Sequence, residues 1–336
     1  MPGSIFRMRP SSSIPSTFIL VLPDRRAYKV DPYTNHHIRR TCADPYPDKA
    51  WAANPLRSSD MNQDHSRSNH RMLLALVWSC LAALFVLPAP QEPDLSEEEM
   101  RNFLLNANVI GSAPVKKGKT GITRLTLTDG RTTHDAAFQS VDIYKDLMVY
   151  VDGRTEKNFR DSYIFNLAAY ELARQVDLGD MMPVTVERKW KGRTGSLSWW
   201  LDFKMDEGMR SKDNIQPTDS EAYNRQMLTI LTFSNLVYDT DRNPGNVLIS
   251  KDWHLWMIDF TRAFRLETAL EDLGDLTRCD KRFLDALRRL KEEEVVEKTR
   301  RYLSKEEIRA VMARRGKLVE HFDRLIARNG EKAVLY

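Results

Sequence analysis

Between residues 96 and 336 the spacing of apolar side chains switches from helical to alternating and back to helical. Ser96 followed by Glu97-Glu98-Glu99 predicts a capped helix start with acids in its first turn, and Met100, Phe103 and Leu104 share one face. Alternation of Ile122, Arg124 and Thr126 against Thr123, Leu125 and Leu127 predicts a strand. Asp129-Gly130 marks a hairpin turn, and His134–Ile143 follows as a second strand. Asp161-Ser162 is the expected cap of a helix over Tyr163–Val176, whose Ile164, Leu167, Ala168, Leu172 and Val176 keep 3/4 spacing. Two more strands, Pro183–Trp190 and Ser196–Leu201, are joined through Lys191-Gly192-Arg193. A polar loop to Thr218 leads to a helix at about Asp219–Val237, then a loop, Tyr238–Gly245, and two short strands, Asn246–Ile249 and Leu255–Ile258. From Asp280 onward the pattern is amphipathic and helical, from Phe283, Leu284 and Leu287 to Leu318, Phe322 and Leu325.

This order is α+β and bilobal: a β-rich half with one main helix, then a helical half, with no internal repeat. The first ninety residues differ in kind. Residues 1–70 are basic and rich in Pro and Ser, without a sustained period, and are expected to be either an unstructured leader or an over-extended reading frame. Residues 71–90 hold Arg71, the apolar run Met72–Leu87 and the exit Pro88-Ala89-Pro90. That run falls short of the roughly 20 residues of a spanning helix and suits a signal-peptide core. A start at Met61 gives it a positive leading region, so export to the periplasm or medium is expected, with membrane anchoring as the outcome if the segment stays uncleaved.

Composition narrows the function. The hydrophobic fraction of 42% and charged fraction of 29% are those of a globular protein large enough to need no disulfide or structural metal. A net charge of +4, without a dense Lys/Arg cluster interleaved with aromatics, argues against a nucleic-acid partner. Cys42, Cys80 and Cys279 have no metal-site or redox-pair spacing.

The chemistry-bearing stretch is Tyr238-Asp239-Thr240-Asp241-Arg242-Asn243-Pro244-Gly245-Asn246, followed by Trp256-Met257-Ile258-Asp259-Phe260. A loop with Asp and Asn, a short hairpin and an Asp at its end gather a hydroxyl-orienting carboxylate and two oxygen ligands for magnesium. An EF-hand reading of Asp239, Asp241 and Asn243 fails, because the sixth and twelfth positions are Pro244 and Ser250 where Gly and Glu are needed. The stretch resembles the atypical kinases: phosphatidylinositol 3-/4-kinases, HipA-type kinases and the secretory casein-kinase-like family. It is also similar to a group of exported bacterial kinase-like proteins that share the segments N-L-A-A-Y-E-L, V-E-R, D-R-N-x-G-N and W-M-I-D-F-T-R-A-F. The resemblance implies a protein-kinase-like domain with an N-lobe at 91–202 and a C-lobe at 203–336. It implies Asp241 as the catalytic carboxylate, Asn246 and Asp259 as metal ligands, ATP and Mg²⁺ (or Mn²⁺) as cofactors, and an acceptor that is a protein, a lipid or a small molecule. Arg242 inside the loop joins the candidate residues.

The same resemblance exposes departures. Gln139 stands where the third strand of a kinase carries its phosphate-binding Lys, and Asn166 where the helix carries the partner Glu. The pair can hydrogen-bond, but it supplies no positive charge. Either Lys116, Lys117, Lys119 or Lys157 substitutes, or the domain is a non-catalytic, pseudokinase-like binding or scaffold protein of the cell envelope. The stretch Lys116–Gly121 lacks the P-loop spacing and is either a phosphate-covering loop or a basic turn. Trp200, at the expected inter-lobe hinge, either stacks on adenine or packs in the core, and Arg262 either assists phosphate binding or salt-bridges a helix.

Overall fold

A computed structural model describes residues 95–115, 121–150 and 152–336. The expected leader, signal segment, Lys116, Lys117 and Lys119 lie outside the described residues. No helix among the described residues is long and apolar enough to cross a membrane.

The chain opens with helix α1 (Glu97–Asn106), started by a capping box in which Ser96 and Glu99 bond each other's backbone. Strands β1 (Asn108–Pro114), β2 (Thr123–Thr128), β3 (Thr133–Gln139), β6 (Thr185–Trp190) and β7 (Arg193–Trp199) form an antiparallel sheet in the order β1-β2-β3-β7-β6. Leu125, Leu127, Ala136, Phe138, Val186 and Leu197 point to its buried face, as period-two alternation requires. There they join one core with Phe103 and Leu104 of α1 and Phe165, Ala168 and Leu172 of α2 (Ile164–Gln175). Gly195 is required where β7 crosses the end of β3. A Cβ there would collide with the Gln139 carbonyl oxygen and the Phe138 ring.

Strand β1 was not expected. Its side chains are mostly exposed and its apolar residues Val109 and Ile110 are adjacent, so no apolar alternation announced it. The strand expected over His134–Ile143 is in fact two. Strand β3 ends at Gln139, and β4 (Asp142–Val149) leaves to pair only with β5 (Thr155–Ser162). This second hairpin was missed because β4 presents its apolar side chains to solvent among charges. Its one audible signal was Asp152-Gly153 at the tip, with Gly153 at φ 82°. Asp161 and Ser162 do not cap α2, since both belong to β5. The Ser162 hydroxyl donates to Asp142 at 2.7 Å, and the cap position is Tyr163, without a side-chain bond.

The chain leaves the large sheet at Trp199 and enters a three-stranded sheet of β8 (Met205–Asp206), β9 (Val247–Ile249) and β10 (Leu255–Met257), ordered β10-β9-β8. The polar loop expected before Thr218 contains β8 and the short helix α3 (Glu207–Lys212). It is fixed by a buried ion pair in which Arg210 Nε meets Glu207 at 2.6 Å, beside the Tyr223 hydroxyl. Helix α4 (Ser220–Val237) starts at Asp219, whose carboxylate accepts from the backbone of Glu221 and Ala222 at 2.9 and 3.0 Å. Helices α5 (Lys281–Arg289), α6 (Glu292–Thr299), α7 (Lys305–Asn329) and α8 (Glu331–Val334) complete the helical lobe, as the amphipathic period predicted.

Arg314 of α7 is fully buried. It donates to the backbone oxygens of Leu236 at 2.9 Å and Arg265 at 3.0 Å, and also to that of Glu267. One guanidinium therefore anchors the end of α4 and the segment that leaves the site. Replacing it leaves three carbonyls without their donor. Arg314→Met is expected to lower unfolding stability by on the order of 3 kcal/mol, measured as a lower urea midpoint at unchanged slope. The exposed Arg282→Met, as control, is expected to stay within about 0.5 kcal/mol.

Candidate active site

The site is assembled where α4 ends. Tyr238 closes the helix in the left-handed conformation at φ 49°, turning the chain into the loop. Asp239 then accepts from its own loop through the Asp241 N–H at 3.1 Å, and from Arg242 at 2.5 Å through a buried salt bridge. Arg242 is 3% exposed and lies over the Phe260 ring at 4.1 Å. It donates to the carbonyls of Asn246 at 2.9 Å and Ile258 at 2.7 Å. Named as a site residue from sequence, it is a strut that fixes both the loop and the residue before Asp259.

Asn243 caps the turn Pro244–Asn246 by accepting from the Gly245 N–H at 2.9 Å. The Asn246 amide nitrogen donates to the Asp241 carbonyl at 3.0 Å, which leaves its side-chain oxygen as the atom that could accept from a donor or hold a cation. Asp259 sits at φ 56°, an uncommon conformation for a residue with a side chain. Its Oδ1 accepts from the Thr261 hydroxyl at 3.0 Å and from the Gln139 amide at 3.4 Å.

The neutral pair foreseen at Gln139 and Asn166 is present and buried, 5% and 8% exposed. The Asn166 amide donates to Gln139 Oε1 at 2.7 Å and to the Ser196 hydroxyl at 3.1 Å, and its oxygen accepts from the Phe260 N–H at 2.7 Å. Strand β3, helix α2 and the Asp259–Phe260 segment are thereby joined without a charge.

The Trp200 backbone N–H donates to the Asp135 carbonyl at 3.1 Å, and its ring is covered by the Arg124 guanidinium at 4.5 Å. Trp199 is stacked on His134 at 3.8 Å. Lys157 stands exposed on β5. Arg262 does form a salt bridge, but to strand β5 and not to a helix: Glu156 accepts from it at 2.5 Å, and the Tyr150 hydroxyl at 3.1 Å. Glu156, Tyr150 and Arg265 were not foreseen, because their partners lie about a hundred residues away in sequence.

Electrostatically the site is a buried acidic cluster that Arg242 and Arg262 offset only in part. Burial, together with the Asp239 and Asp259 carboxylates, pushes Asp241 up to about 6, with Arg262 opposing. Burial also raises Asp259, against the hydrogen bonds from Thr261 and Gln139. Carboxylates held this way, beside an amide oxygen, fit a divalent cation that would relieve their repulsion.

No protein-family model and no curated protein matches the chain. Among solved structures it is similar to hydra Fam20 with sugar, at 12% identity and a TM-score of 0.52, over 73% of this chain and 93% of that one. It is similar to the Golgi casein kinase at 10% identity and a TM-score of 0.52, over 83% of this chain and 96% of that one. The Golgi casein kinase with Mn/ADP bound aligns at 11% identity and a TM-score of 0.49, over 71% and 78% of the two chains. The chain has an atypical kinase-like fold, with a β-sheet N-lobe and a helical C-lobe.

The acidic cluster has a measurable cost. Asp241 titrates near 6 in the folded state against 3.8 as its ordinary value, so the folded protein holds a proton across that window that the unfolded chain has released. Stability should fall as pH rises through the window and stay reduced above it. Asp241→Asn is expected to be more stable than wild type near pH 8, by up to roughly 3 kcal/mol, with the gain vanishing near pH 4. Thermal unfolding across that range checks it.

Proposed function

We propose that the domain is an exported phosphotransferase that uses ATP and Mg²⁺, with Mn²⁺ as the alternative ion. The observation that carries this reading is the convergence of Asp241, Asn246 and Asp259 on one site, bound together by Arg242 on a kinase-like fold. A metal held by Asn246 and Asp259 would neutralise charge on the nucleotide phosphates. Asp241, raised toward neutrality by its surroundings, would orient an acceptor hydroxyl and take its proton. Gln139 and Asn166 hold Asp259 and the Phe260 backbone in position. The acceptor belongs to one of the classes protein, lipid, sugar or small metabolite.

A second reading has its own observation. With Gln139 at the lysine position no cation is supplied there, and Arg124 covers the Trp200 ring. Both favour a non-catalytic kinase-like binding or scaffold protein of the cell envelope.

The two readings separate on the purified protein. Under the enzyme reading, ATP with Mg²⁺ or Mn²⁺ raises the melting temperature and is turned over. Asp259→Ala abolishes both effects, whereas Asp241→Asn keeps the thermal shift and lowers turnover by about 10²–10⁴-fold. Replacing Lys116, Lys117, Lys119 and Lys157 singly then identifies the substitute lysine. Absence of both shift and turnover with any nucleotide sinks the enzyme reading.

A further inference from the structure

The residues that follow Asp259 carry two arginines, and the β4–β5 hairpin grips both. Glu156 accepts from Arg262 Nη2 at 2.5 Å through Oε2 and from Arg265 Nη2 at 3.0 Å through Oε1. The Tyr150 hydroxyl donates to the same Oε2 at 2.6 Å. Phe159 lies under the Arg262 guanidinium at 4.4 Å, and Arg265 also donates to the Arg160 carbonyl at 2.7 Å.

This is a built pocket. Side-chain exposure is 14% for Arg262, 10% for Arg265 and 17% for Glu156. Two guanidinium charges converge on one carboxylate, and the Nε of each arginine is buried without a hydrogen-bond partner. Asp241 faces Arg262, and Glu267 and Asp239 face Arg265, but the hydrogen bonds run to Glu156. Converging guanidinium forks with a phenol hydroxyl offer more donors than a carboxylate can accept. They match a tetrahedral oxyanion with three or four acceptor oxygens.

The position gives the pocket a consequence. The Arg262 carbonyl accepts from the Thr240 hydroxyl at 2.9 Å, next to Asp241, and the Thr261 carbonyl accepts from the Ser162 N–H at 2.9 Å, at the root of the hairpin. Whatever holds Arg262 and Arg265 therefore holds the segment between Asp259 and the helical lobe. In regulated kinases that ordering is supplied by a phosphate on the segment paired with arginines.

We propose that Arg262, Arg265 and Tyr150 form an oxyanion receptor of phosphate type, and that Glu156 occupies it as a built-in substitute, so the segment after Asp259 is ordered without phosphorylation. The inference uses the kinase-like fold and does not depend on turnover. Its test, read as stability, can fail while the proposed phosphotransfer stands, and the reverse.

The test is chemical rescue on the full-length protein. Glu156→Ala is expected to lower the melting temperature by several degrees. Inorganic phosphate should restore at least half of that loss with a saturating dose response, relative to chloride at equal ionic strength. Wild type should not show that response, and Glu156→Ala combined with Arg265→Ala should lose it. If the alanine variant does not fold, Glu156→Gln keeps the shape without the charge. Its amide hydrogen exchange over residues 260–268 should then rise and fall again on adding phosphate. An equal response of wild type and variant, no difference between phosphate and chloride, or rescue that survives loss of Arg265 overturns the proposal.

Discussion

The side-chain amide of Asn166 is the contact on which the rest of the site depends. It reaches Gln139 at the end of β3, Ser196 on β7 and the backbone of Phe260 beyond the small sheet, each at hydrogen-bonding distance. A buried ion pair at this place would carry a desolvation penalty of several kcal/mol per ion. A neutral amide pair avoids that penalty and still satisfies the Phe260 N–H, which would otherwise be orphaned in the core. The same choice removes the positive charge that a lysine would bring. The register of the two lobes is kept, and a bound phosphate would have to be neutralised by another group.

That division explains the arrangement around it. Arg242 is spent on structure, its guanidinium closing Asp239, Asn246 and Ile258 into one unit. Arg262 is spent on Glu156. Arg262 still opposes the rise of Asp241, and Arg242 that of Asp259, but neither cancels it; both carboxylates are withdrawn from water, with Asp259 in a left-handed backbone conformation. A fold that keeps such a cluster only partly compensated gives up stability for a site that would favour a divalent ion.

What could be read from sequence follows the distance over which each feature is encoded. The juxtaposition of Asp241, Asn246 and Asp259 was legible because a loop and a short hairpin bring them together locally, and the structure adds Arg242 as the strut. Gln139 and Asn166 were legible by their positions on a strand and a helix, including their capacity to bond. The β4–β5 hairpin was not. Its strands pair with each other and not with the sheet, so no buried face imposes an apolar alternation, and Tyr144, Leu147 and Val149 stand in solvent. Arg314 and the Glu156 cluster were invisible for a different reason. Their partners are backbone carbonyls and charges far away in the chain, which no periodicity records.

The proposed site has Asn246 and Asp259 holding a metal beside Asp241 on a lobe junction closed by neutral amides. Its most direct test is a crystal of the protein grown with MnCl₂ and ADP and examined at the manganese absorption edge. An anomalous peak is expected at bonding distance from the Asn246 side-chain oxygen and the Asp259 carboxylate, absent in Asp259→Ala. A nucleotide in the cleft with no manganese at these two residues, or manganese bound elsewhere, would contradict it.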